Sequence, residues 1–412
     1  MEHKSLIREN IKNISYQSIA QIIPRAMMFI FIFYLARILG NAEYGKYEFA
    51  TSFGYLVGMF FELGGNMILT KHVARKFYSS IYYALKIRIV SILITLTVFI
   101  GTLYIFNFYE ESRLYIIYAS IGLAFSSMMN LYFAFFRGVQ KMNYEAVVLI
   151  IQKALFIILA LILIYSEKSG ARVLFAFMIS MAAGFVIILS FFKKRESHYI
   201  HKGEKYEVQF RDYVKDVFSL ALVEVFSNVY YRLNQVMIEH FRGFAEVGVY
   251  GVAYKVVEVF TNFPAILLIA LFPAFAKMAV DNLSDFKIQF DKFLVILISF
   301  GFLAGAGCWF LGKYFFTLIG SDYERSYVVL RYLVFPLVFL FPNFLITQGL
   351  IALNKNLTFA AILLSALILN IILSLILVPS MGAEGSAISI GICEMLIFAA
   401  GYLYIRNYTR FA

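Results

Sequence analysis

Ten ionisable side chains stand inside long apolar runs of this chain: Arg25, Glu62, Arg88, Lys153, Glu224, Arg232, Lys255, Glu258, Arg331 and Glu394. A charge at the centre of a bilayer costs on the order of 2.5–3.5 kcal/mol on insertion scales, so each needs a partner, water or a ligand. The basic members outnumber the acidic ones, and that sign separates substrate classes. A site for a cationic compound wants carboxylates without compensating arginines. A site for an anion wants guanidinium forks, because Arg grips phosphate with two parallel hydrogen bonds.

Spacing sorts these groups further. Gln17, Gln21 and Arg25 follow i, i+4, i+8 and share one helix face, with Pro24 beside Arg25. Arg25 either faces a substrate or pairs with Glu62 on the next span. In the seventh span Glu224, Asn228, Arg232 and Gln235 line one face, and the eighth answers with Lys255, Glu258 and Asn262. Lys255 and Glu258 are i, i+3 and can neutralise each other. Lys153 lies well inside the fifth span, next to Gln152. The substrate-binding candidates are therefore Gln21, Arg25, Lys153, Asn228, Arg232 and Lys255. Arg88 and Arg331 lie near helix ends and are expected to snorkel to the headgroups.

Four carboxylates are candidates for ion coupling, since a poorly hydrated carboxyl can exchange protons near neutral pH. Glu224 is favoured, at mid-depth on the seventh-span stripe. Glu258 is tied down if Lys255 holds it, and Glu62 if it serves Arg25. Glu394 sits in a small-residue helix, where holding helices together is its alternative role.

The elements that must position these groups follow from composition. Of 412 residues, 62% are hydrophobic and only 15% charged. Soluble domains run at roughly 45–50% apolar and about 25% charged. The expected class is an all-α polytopic membrane protein. A span needs about 20 apolar residues, and runs of that kind fall near 13–36, 47–69, 83–106, 114–136, 144–165, 172–192, 214–237, 247–272, 292–312, 327–350, 357–378 and 385–405. The longest polar stretch, 193–213, divides the chain into an N-terminal six-helix lobe (1–192), a cytoplasmic linker (193–213) and a C-terminal six-helix lobe (214–412). Residues 1–12 are charged and no small-residue cleavage site follows, so the first span is expected to stay. With the N-terminus in the cytoplasm, most loop Lys and Arg fall inside, so both termini are expected there. The net charge of +11 is read as this loop bias and not as a nucleic-acid footprint.

The two halves repeat. GNAEYGKYEFA (Gly40 to Ala50) matches GFAEVGVYGVA (Gly243 to Ala253) without a gap, each after the first span of its half. GVQKMNYEA (Gly138 to Ala146) more loosely echoes ALNKNLTFA (Ala352 to Ala360), each between a fourth and fifth span. Six helices per half is an even number, so the copies form a parallel repeat.

These same segments carry a resemblance. ARILGNAEYGKYEFA after span one, FRGVQKMNYEA after span four, NVYYRLNQVMI in span seven, FRGFAEVGVYGVAYKV into span eight and LILVPSMGAEGSAISIGICEML across spans eleven and twelve resemble the polysaccharide flippases. These are the Wzx-type oligosaccharide-lipid exporters of the multidrug/oligosaccharidyl-lipid/polysaccharide superfamily. The likeness covers essentially the whole chain in order. It implies a MATE-like, V-shaped bundle of about twelve helices in two six-helix lobes. It also implies translocation of a polyprenyl-(pyro)phosphate-linked glycan across the cytoplasmic membrane. The partners implied are that glycan, membrane lipids, and a polysaccharide polymerase or glycosyltransferases, for a monomeric secondary transporter that is not an enzyme.

No GxxxxGK[ST] loop is present, so no built-in ATPase is expected. His198 and His201 have no Cys or carboxylate set at zinc spacing, so neither a metal nor a cofactor is expected. Cys308 and Cys393 lie in apolar runs and are read as reduced core residues. The pairs Gly54/Gly58 and Gly301/Gly305 are read as close-packing sites. The alternative function is a cation-coupled multidrug and toxin extruder of the same superfamily, disfavoured by arginines at depth in spans one and seven.

Overall fold

The computed structural model describes the backbone of residues 2–62, 64–195 and 210–411, and the side chains of these except 2–22, 211–212, 214–224, 262–263, 265–266, 269–270, 273–274 and 410–411. The helices are α1 (Glu2–Glu62), α2 (Gly65–Ala74), α3 (Ser80–Ile105), α4 (Arg113–Gly138), α5 (Asn143–Ser166), α6 (Gly170–Lys193), α7 (Phe210–Arg242), α8 (Phe244–Asp281), α9 (Leu283–Ile319), α10 (Glu324–Ala352), α11 (Asn356–Met381) and α12 (Ala383–Phe411). Among the described residues nine helical stretches are long and apolar enough to cross a membrane. One of them, Ile23–Glu62, holds two expected spans, because the helix kinks at Gly40. The long polar stretch expected as a linker falls largely outside the described residues.

The repeat read from sequence is repeated in the backbone. Gly40 breaks α1 at φ 72, ψ 172, and Gly243 separates α7 from α8 at φ 81, ψ 176. That region is open essentially to glycine alone. The second echo holds as well. Gln140 and Asn354 both take positive φ, at 58 and 57°. The Lys141 N–H donates to Phe136 O, and the Lys355 N–H to Leu350 O, each at 2.8 Å. Short 3₁₀ turns at Glu110–Ser112 and Ser321–Tyr323 precede α4 and α10 in turn.

Two differences from the expected spans have local causes. Span two is not continuous: α1 ends at Glu62, and α2 starts after Gly64, which is left-handed at φ 76. The ninth span is longer than its apolar run. α9 starts at Leu283 because the Asn282 side-chain oxygen caps it, accepting from the N–H groups of Ser284 (3.0 Å) and Asp285 (3.3 Å).

The helices gather into two units, Met1–Ile32 with Ala50–Val225, and Phe33–Phe49 with Phe226–Ala412. In the first, α4 packs on α2, α3 and α6, and α5 packs on α6. Its core joins Leu69, Ile81, Phe133, Phe135, Phe136, Val148 and Ile188. In the second, α10 is the central helix and packs on α8, α9 and α12. Residues 33–49 belong to this second unit through side-chain contacts. The Tyr323 hydroxyl donates to Ala36 O at 3.1 Å, and Phe33 packs on Phe315, Tyr44 on Tyr323 and Phe49 on Phe244.

The remaining apolar surface faces outward. Leu93, Ile94 and Val98 on α3 are all more than half exposed. A face this apolar suits lipid, where helices need only satisfy their own backbone. Three of the four paired glycines pack closely: an added Cβ would meet Leu123 Cδ1 at 3.0 Å from Gly54, Leu337 O at 3.0 Å from Gly301 and Val334 Cγ1 at 2.9 Å from Gly305, whereas at Gly58 the nearest atom would be 3.7 Å away. Cys308 and Cys393 are buried free thiols.

Candidate functional site

In the second unit the repeated glycine segments cross at backbone contact. A Cβ on Gly45 would overlap the carbonyl of Phe244, and a Cβ on Gly248 would overlap that of Asn41. The two contacts are reciprocal, since Gly45 corresponds to Gly248 and Asn41 to Phe244 in the repeat. One turn on, the crossing holds a carboxylate. Glu48 is 2% exposed, and its Cγ lies 2.9 Å from where a Cβ on Gly251 would be. Glu48 and Gly251 are themselves repeat equivalents, so one copy supplies the bulk and the other the space.

Glu48 is the anchor of a charged cluster. Its Oε1 accepts from the Tyr44 hydroxyl at 2.8 Å, and the Lys255 ammonium stands 3.8 Å away. Lys255 Nζ donates to Glu258 Oε2 at 2.9 Å, the i, i+3 pair expected from spacing. From α7, the Arg232 guanidinium acts on Lys255 as a like charge. Arg232, Lys255 and Glu258 are thus brought together, with half-buried Asn228 one turn from Arg232 on the same helix. Glu48 was missed by the sequence reading, although it lies in the run 47–69. Its signal was available in the repeat, where a glutamate aligned with a glycine.

Glu394 stands apart from that cluster and is 1% exposed. It accepts from the Tyr230 hydroxyl at 2.9 Å and from Asn343 Nδ2 at 2.7 Å. Asn343 follows Pro342 in α10 and also donates to Glu394 O at 2.9 Å. This geometry is the helix-holding arrangement: one carboxylate joins α7, α10 and α12.

In the first unit the partners differ from those expected. Arg88 does not snorkel: it is 3% exposed and donates to Ser127 O at 2.9 Å, Ser127 Oγ at 2.6 Å and Asn66 Oδ1 at 3.0 Å. It also lies 3.6 Å from Glu62 Oε1. Glu62 accepts from Asn66 at 2.8 Å and Asn130 at 3.2 Å. Its charge is therefore met by Arg88 of α3 and not by Arg25. The physical reason is that Arg88 finds acceptors inside the unit: Ser127, Asn66 and Glu62 together surround its guanidinium. Arg88→Met is expected to destabilise the fold by about 3–5 kcal/mol, since it strands a carboxylate. Arg88→Met with Glu62→Gln should recover most of that loss, read by thermal unfolding in detergent.

Arg25 is exposed on α1, and Lys153 is half-buried on α5. Lys153 makes no hydrogen bond or ion pair with any described residue, while its neighbour Gln152 donates to Ser180 Oγ at 3.0 Å. Arg331 stacks on Trp309, 4.1 Å from the ring centroid. The side chains of Gln21, Glu224 and Asn262 lie outside the described residues.

Comparison with solved structures places this architecture. An inward-facing multidrug resistance MATE family transporter of the MOP superfamily superposes with a TM-score of 0.72 at 14% identity, over 97% of this chain and 98% of that one. The lipid II flippase MurJ, in an inward closed conformation, gives 0.74 at 15% identity, over 94% and 87%. The chain is therefore a multi-pass, all-helical membrane protein with the fold these transporters share. A curated relative, the capsular polysaccharide biosynthesis protein CapF of Staphylococcus aureus, is 22% identical over 96% of this chain and 99% of its own length. Residues 11–279 match the polysaccharide biosynthesis protein family, and the chain belongs to that family.

Proposed function

We propose that the chain is a flippase, moving a polyprenyl-(pyro)phosphate-linked oligosaccharide across the cytoplasmic membrane by alternating access for surface polysaccharide biosynthesis. The observation that carries this reading is Lys153. An ammonium inside a spanning helix, with no ionic partner among the described residues, is costly unless an anion or water meets it. A phosphate-linked lipid supplies that anion; Arg25, Arg232 and Lys255 are the other basic candidates for substrate contact, each taken by itself. The family and the capsular polysaccharide relative support the glycan as cargo. A polysaccharide polymerase or glycosyltransferases would act beside the chain, which would work as a monomer.

Lys153→Met carries the test. It is expected to raise thermal stability, by about 1–3 kcal/mol, while lowering flipping of a defined polyprenyl-linked sugar in proteoliposomes. A variant that is less stable, or that flips at the wild-type rate, would remove Lys153 from the site. The likeness to MATE transporters supports a second reading, a cation-coupled multidrug extruder. Drug efflux from the same vesicles without sugar-lipid flipping would decide for it.

The loop charges support both termini on the cytoplasmic side. A reporter fused after Ala412 and one within 193–213 should both read cytoplasm, and one within 107–113 the opposite side. An outward 193–213 reporter would break the alternation at its centre. We assign energy coupling to a carboxylate, with Glu224 ahead of the other candidates Glu62, Glu258 and Glu394.

A further inference from the structure

Lys255 has a carboxylate on each side, and the two are not alike. Glu48 is 2% exposed, is hydrogen-bonded by Tyr44, and sits where the crossing segments leave room only because residue 251 is glycine. It has nowhere to go. Glu258 is 46% exposed, on the same helix as Lys255, and holds the ammonium at 2.9 Å. Its carboxylate is the more accessible of the two, so it is the one that can turn away from the ammonium.

We infer that Glu258 is an exchangeable placeholder: its carboxylate occupies the Lys255 ammonium until a phosphate displaces it, and returns to help expel the phosphate. Glu48 is a positioning residue that keeps Lys255 aimed from behind through both states. The assignment rests on the phosphate-linked substrate proposed above. The chemistry favours exchange over simple addition. A phosphate oxygen and a carboxylate oxygen seek the same N–H donors, and the Arg232 guanidinium acts on Lys255 as a second cation, which the several oxygens of a phosphate can share. Among the described residues Tyr44, Tyr254 and Tyr323 also act on the cluster.

This arrangement makes opposite predictions for two substitutions that each remove one negative charge. Glu258→Gln removes the competitor, so a polyprenyl monophosphate in nanodiscs should bind about three- to tenfold tighter and dissociate more slowly, a free-energy change of the size expected for one exposed pair. In vesicles the same variant should flip more slowly at saturating substrate, because release is impeded. Glu48→Gln should bind no tighter than wild type, since its carboxylate never yields to the phosphate. Lys255→Met should lose the gain in a Glu258→Gln background. Gel filtration and thermal unfolding of each variant confirm that folded protein is compared. Equal tightening in Glu48→Gln and Glu258→Gln would show that only total charge matters and would overturn the exchange. Unchanged or weaker binding in folded Glu258→Gln would do the same. Absence of binding by wild type would instead sink the phosphate-linked substrate, and the exchange with it.

Discussion

Alanine at Arg25, Arg232 or Lys255 is expected to abolish glycan-lipid flipping and leave protein in the membrane. Removing one partner of a desolvated, hydrogen-bonded charge pair costs about 2–5 kcal/mol, roughly 30- to 4,000-fold in affinity. The three variants should differ in stability in a way that reports their surroundings. Arg25 is exposed, so Arg25→Ala should melt close to wild type. Lys255→Ala takes the ammonium away from buried Glu48, so it should melt lower, and Glu48→Gln added to it should restore stability without restoring transport. Lys at position 25 or 232 should rescue only in part, because the charge returns and the two-pronged fork does not. The measurement is single-turnover flipping in proteoliposomes alongside unfolding curves. Full activity in all three alanine variants would remove phosphate docking on these residues.

The second large effect is structural. Gly45→Ala or Gly248→Ala should cost more than about 3 kcal/mol and yield little folded protein, beyond the usual range for overpacking. The new methyl group would meet not a side chain that can rotate but a backbone carbonyl, of Phe244 in one case and of Asn41 in the other. Gly307→Ala on α9 is the control. An added Cβ there has open space around it, and helix propensity alone favours alanine by about 1 kcal/mol. Detergent-solubilised yield and thermal unfolding separate the two. If Gly45→Ala and Gly307→Ala behaved alike, the crossing would not be close-packed in the folded protein.

Much of the fold was legible because its signals are local. Hydropathy marks each span within a window of about 20 residues. The glycines at 40 and 243 announce a backbone that other residues avoid, and the paired turns at 138–146 and 352–360 share their hydrogen bonds. Helix ends were less legible. The cap at Asn282 extends α9 beyond its apolar run, and the break at Gly64 interrupts a stretch whose hydropathy is unbroken. The site was legible by type and not by pairing. Lys255 and Glu258 are near in sequence, so their contact followed from helix periodicity. Arg88 meets Ser127 and Asn66 from other helices, and Glu48 meets Lys255 from the other half of the chain. No spacing rule reports such contacts, because they depend on how helices pack. Arg88 looked free to reach the headgroups only because its partners were distant in sequence.

The pairing of Glu48 with Gly251 bears on how a duplicated chain can acquire a charge at its crossing. Where two copies of one segment meet reciprocally, a residue at the meeting point faces its own counterpart. Two identical copies would place glutamate against glutamate, which neither the available space nor the like charges allow, or glycine against glycine, which leaves Lys255 without its buried counter-ion. The charged arrangement therefore exists only in an asymmetric chain. A variant with Glu48→Gly and Gly251→Glu together keeps the volume but moves the carboxylate onto α8, one turn from Lys255 on its own helix. The ammonium would then be held along its helix instead of across the crossing, and the tie between the two repeats would be lost while their packing remained.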